Sequence, residues 1–78
     1  MKFEVIVELK PEVLDVQGRA ICDAINRLRT EKIKQVRLTK RYEIELSTSE
    51  SQPDTAIAEI AKEFLANPIS ERFEVRRL

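Results

Sequence analysis

From Val36 to Leu46 every even-numbered residue except Lys40 is apolar (Val36, Leu38, Tyr42, Ile44 and Leu46), and every odd one is polar or charged. A period of two held over eleven residues specifies extended chain with one face buried and the other in water. The length suggests two strands, yet a tight hairpin would place Gly, Asn or Asp at its turn, and the middle of the run reads Thr39, Lys40, Arg41. Two arrangements follow: two strands joined by a looser or bulged turn, which the length favours, or one long bent strand that extends into a neighbouring subunit.

The same period marks the start of the chain, where Phe3, Val5, Val7 and Leu9 alternate with Glu4, Ile6, Glu8 and Lys10 before Pro11 ends the strand. Asp15 is placed to cap a helix whose inward stripe is Ala20, Ile21, Ala24, Ile25 and Leu28, with Arg27, Arg29 and Lys32 near its C-terminal end, where cations complement the helix dipole. Pro53 suits the first turn of a second helix, with Ile57, Ile60, Ala61, Phe64 and Leu65 as its stripe. Asn67, in a left-handed conformation, and Pro68 would close it, and a last strand carries Phe73 and Val75 on one face. The order strand, helix, strand, strand, helix, strand predicts one α+β domain over residues 1–78: a ferredoxin-like βαββαβ antiparallel sheet with both helices on one face.

Composition removes most chemistry from such a domain. The chain has no His, one Cys and one Gly, which excludes an imidazole base, a His-ligated zinc, an intrachain disulfide, a GxGxxG loop and a P-loop. At 78 residues it buries only about 60 to 65% of the surface its unfolded chain exposes, and with neither disulfide nor metal to add stability, association is expected. A free Cys22, no apolar run of membrane length and no signal-peptide pattern at Met1–Val5 point to the cytoplasm and away from membranes.

The 14 basic and 14 acidic residues balance in number but not along the chain. Residues 29–41 hold Arg29, Lys32, Lys34, Arg37, Lys40 and Arg41 against Glu31, whereas residues 43–59 hold Glu43, Glu45, Glu50, Asp54 and Glu59 without a base. The basic run suits a solvated or subunit-pairing face better than a nucleic-acid site, because such sites sit on net-basic domains and a base-stacking sheet needs more aromatics than Phe3, Tyr42, Phe64 and Phe73. Cys22 reads as a small packing residue rather than a nucleophile. The pairs Glu4/Glu8 and Glu43/Glu45 read as a solvent face rather than as acid and base or a Mg²⁺ site.

Four segments taken together carry a family resemblance. Leu9-Lys10 with Val13 to Gly18 resembles the "LK..VLDPQG" opening of the PurS family, with Val16 in place of its proline. Val36-Arg37, Lys40, Tyr42 and Glu45-Leu46 are similar to its "VR.GK..EL" segment, with Thr39 in place of the glycine. Leu65-Ala66-Asn67-Pro68-Ile69 with Glu71 resembles "LLANPVIE", and Phe73-Glu74-Val75 falls where the last strand of the family lies.

The resemblance implies the small subunit of phosphoribosylformylglycinamidine (FGAM) synthase, a step of purine synthesis. In that machine a PurQ glutaminase frees ammonia and a PurL synthetase uses ATP and Mg²⁺ to activate the substrate amide. PurS itself forms a dimer, bridges the other two and assists ammonia transfer, with no catalytic residue, cofactor or metal of its own. Candidate contacts with other subunits are then Asp15, Gln17, Gly18, Arg37, Lys40, Tyr42, Leu65, Ala66, Asn67, Pro68 and Ile69. Two other classes are alternatives, the first of which shares this order of elements. A regulatory domain of the ACT type typically has glycine where this chain has Lys10-Pro11-Glu12, and an RNA-binding module would show salt-sensitive affinity.

Overall fold

A computed structural model describes residues 1–47 and 51–78; Thr48, Ser49 and Glu50, part of the expected polar loop, lie outside the described residues. The order is β1 (Lys2–Leu9), α1 (Val16–Leu28), β2 (Thr39–Glu45), α2 (Pro53–Ile60) running into a π-helical turn (Ala61–Leu65), and β3 (Glu71–Arg77). The class is α+β, and the described strands form one antiparallel sheet in the order β2-β1-β3.

The first strand is central, paired with β2 along one edge and with β3 along the other. Phe3 stands opposite Ile44, Val5 opposite Tyr42 and Val75, and Val7 opposite Phe73, so the apolar positions of all three strands share one face. Ile57 and Ala61 of the second helix close over that face, and with Phe3, Val5 and Val7 they make the core, each at most 1% exposed. Burying a side chain such as Phe3 or Ile57 contributes roughly 1.5 to 3 kcal/mol. The opposite face is charged, with Glu4 bonded to Arg41, Glu8 to Arg72 at 2.7 Å and Glu74 to Arg76 at 3.1 Å.

Four expectations are corrected. The alternating run gives one strand rather than two: β2 begins at Thr39, and among the described residues Val36–Leu38 pair with no strand. Side chains instead hold the returning chain at Ile33 and Leu38. Asn26 accepts from the Ile33 amide at 2.8 Å and donates to its carbonyl at 3.0 Å, and Asp15 accepts from the Leu38 amide at 2.9 Å. Nor do both helices lie on the sheet. Only α2 does so; α1 projects beyond the end of the strands, and of its expected stripe Ala20 and Ile21 are exposed and Leu28 is 80% exposed. The molecule therefore measures 52 × 24 × 14 Å, with a radius of gyration of 16.2 Å. A compact chain of this length would have about 11 to 12 Å.

The third and fourth corrections concern the end of the second helix. Phe64, placed inward by a regular helical period, is 77% exposed, because the Ala66 amide bonds the Ala61 carbonyl five residues back at 3.0 Å. That wider turn keeps Ala61 and Leu65 on the core side and rotates Phe64 out. Asn67 does not close the helix in a left-handed conformation, since no described residue has positive φ. The exit is instead extended at Ala66, and the Asn67 side chain accepts from the Ile69 amide at 3.0 Å.

Candidate functional site

Sheet and projecting helix meet at a waist, and the chain crosses it twice, outward over residues 10–15 and inward over residues 33–38. Asp15 caps α1 as its position predicts, accepting from the Gly18 amide at 2.8 Å with Oδ1. Its Oδ2 accepts from Leu38, so one carboxylate ties both crossings. The Leu38 amide first, then that of Gly18, with the Arg37 charge adding less, hold the Asp15 carboxyl below its usual value. Gly18 is buried, and a side chain there would overlap the Val36 carbonyl oxygen, which is why the single glycine stands at this point. Arg37 braces the crossing from the other side, donating to the Leu9 carbonyl at 3.4 Å with Glu8 at 3.9 Å.

A cavity of about 300 Å³ opens on the sheet side of this waist, bordered by Asp15, Gln17, Lys40 and Glu71. A second of about 550 Å³ lies between α1 and the returning chain, bordered by Arg19, Cys22, Asn26 and Lys34. The two share Asp15. Cys22 packs as expected: it is 8% exposed and its thiol donates to the Ile33 carbonyl at 3.6 Å.

The candidate contacts thus fall into three groups. Asp15, Gln17, Gly18, Arg37 and Lys40 gather at the waist. Tyr42 does not; it is half-buried in β2 against the core. Leu65 and Ala66 also support the core, whereas Asn67, Pro68 and Ile69 form an exposed turn, with Ile69 84% exposed. That turn is braced by Asn67, whose amide donates to Glu71 at 2.7 Å, and by Lys10, whose ammonium donates to the Pro68 carbonyl at 2.8 Å.

Sequence reasoning missed Asn26, Phe64 and the uncovered helix. A polar residue four after Cys22 on the same face carried a weak signal for Asn26, and the π-helical turn left none. Among the described residues no three His, Cys, Asp or Glu side chains are grouped to hold a metal, and no helix is long and apolar enough to cross a membrane. The sheet aromatics Phe3, Tyr42 and Phe73 all lie on the helix-covered face, so the open face has no platform for stacking bases.

A family model described as "PurS: Phosphoribosylformylglycinamidine (FGAM) synthase" matches residues 2–78. The PurS subunit of phosphoribosylformylglycinamidine synthase from Mycobacterium leprae is 40% identical over 71 residues, 91% of this chain and 87% of that protein. The crystal structure of Methanocaldococcus jannaschii PurS superimposes with a TM-score of 0.84 at 33% identity, covering 96% of this chain and 92% of the other. A chain of the PurLQS structure from Thermotoga maritima has the same fold, with a TM-score of 0.69 at 24% identity over 99% of this chain and 95% of that one. Matched along nearly its whole length by family model, sequence relative and fold, the chain belongs to the PurS family of FGAM synthase subunits.

Proposed function

We propose that this chain is a non-catalytic subunit of FGAM synthase that pairs with a second copy of itself, bridges a PurL synthetase and a PurQ glutaminase, and assists the passage of ammonia between them. The full-length family match carries this reading. The Methanocaldococcus jannaschii relative is described as one of the subunits of formylglycinamide ribonucleotide amidotransferase, and the Thermotoga maritima chain of like fold is part of a PurLQS structure. ATP and Mg²⁺ belong to the synthetase subunit, and this chain holds neither. The complex works in the cytoplasm, where the Cys22 thiol stays reduced.

The division of labour has a chemical reason. Ammonia freed by a glutaminase is protonated in water and lost as a nucleophile, so a water-excluding path must join the two active centres. A chain that spans 52 Å with both ends able to make contacts suits that task better than a compact one.

The same shape supports pairing between copies. Alone, α1 leaves Ile21 and Leu28 exposed and Ala24 and Ile25 half-buried, the outer edge of β2 is unpaired among the described residues, and Tyr42, Ile44 and Leu46 are only partly buried beneath one helix. An arm from a second copy, laying its α1 beside α2 and its residues 33–38 along the edge of β2, would complete a four-stranded sheet covered by two helices. That is the βαββαβ arrangement expected from the sequence, assembled from two chains. Light scattering at micromolar concentration should give twice the chain mass; the mass of one chain would count against the pairing. Purified alone, the chain should show neither glutaminase nor ATPase activity, and either activity would refute the assignment.

A further inference from the structure

We propose that Asp15 and Gly18 are positioning residues: together they clasp the two chain crossings at the waist and set the direction of the α1 arm, and thereby the ability of the chain to pair. This rests on the self-association reading above. The Asp15 carboxylate spends one oxygen on the Gly18 amide at 2.8 Å and the other on the Leu38 amide at 2.9 Å. An N-cap needs only the first bond; the second reaches 23 residues along the chain to the last residue before β2. Gly18 completes the clasp from the helix side, because the Val36 carbonyl crosses the first turn of α1 at a distance that only glycine tolerates. By contrast, the bonds from Asn26 and Cys22 to Ile33 hold the arm together internally and do not fix it to the sheet.

The chemistry of the carboxylate makes the clasp separable from the cap. Asparagine offers one acceptor oxygen where aspartate offers two, so Asp15→Asn can keep only one of the two bonds, and with its oxygen in the local cap on Gly18 it releases Leu38. Gly18→Ala attacks the same junction from the opposite side by pushing Val36 away.

The test is residue-resolved amide hydrogen exchange on the full chain, combined with sedimentation of the same samples. In Asp15→Asn the Leu38 amide should exchange roughly tenfold faster while the β1 amides of Val5 and Val7 keep their rates, and the pair should dissociate at correspondingly lower dilution. Gly18→Ala should act in the same sense. Reconstituted with the PurL and PurQ subunits, Asp15→Asn should need more chain to reach half-maximal glutamine-dependent turnover and should then reach the same maximum, and the unchanged β1 exchange distinguishes this from general destabilisation of the sheet. Unchanged Leu38 exchange in both variants would overturn the proposal. So would β1 amides accelerating by the same factor, or an exposed Leu38 amide with pairing intact. A wild-type chain that sediments as a single copy would instead overturn the self-association reading, and Leu38 exchange would then decide the clasp on its own.

Discussion

Ile57 and Phe64 lie seven residues apart on one apolar stripe and have opposite fates. Ile57 is fully buried against Phe3, Val5 and Val7, so Ile57→Ala should cost about 2 to 5 kcal/mol in urea unfolding. Phe64 is turned to solvent by the π-helical turn, so Phe64→Ser should shift that stability by less than about 0.5 kcal/mol. A large loss for Phe64→Ser would show that a regular helical turn holds there instead. Asp15 adds a pH dependence. Its carboxyl titrates below the ordinary 3.8 in the folded chain, so its contribution is complete above that pH and is lost as the pH falls through the lower folded value. Leu38 amide exchange, corrected for its intrinsic rate, should therefore be level above about pH 4 and rise below it, and Asp15→Ala should abolish the step. At this scale Asp15 could be read from sequence as a cap, because caps are local. Its bond to Leu38 could not, because that depends on where a distant segment returns.

Among the elements, β1, β3 and the start of α2 follow from side-chain period and from Pro11 and Pro53, since each buries one face within the chain. The alternation through Val36–Leu46 and the stripe of α1 are equally real in the sequence, but their partners are missing from a single chain. Thr39–Glu45 of the alternating run pair with β1, and the Leu38 amide just before them is held by Asp15. Periodicity reports that a face is to be buried and is silent on which molecule buries it. The stripe can be tested on that basis. Leu28→Asp, at an 80% exposed position outside the core, should leave the urea midpoint of the sheet near wild type at dilutions where the chain is single, and should weaken pairing by at least tenfold. Equal loss of both would place Leu28 inside the fold of one chain.

The whole molecule is a small sheet with one helix on it and another held away from it by a braced waist. On the open face the carboxylates of Glu4, Glu8 and Glu74 each answer an arginine of the same chain. Neither a thiol engaged with a backbone carbonyl nor carboxylates engaged with arginines are poised for reaction, which fits a role in assembly. The most direct measurement is glutamine-dependent FGAM formation by purified PurL and PurQ subunits, with and without this chain. Turnover with glutamine should appear only when the chain is added, whereas turnover with ammonium salts should proceed without it. Full glutamine-dependent turnover in its absence would rule out the bridging role.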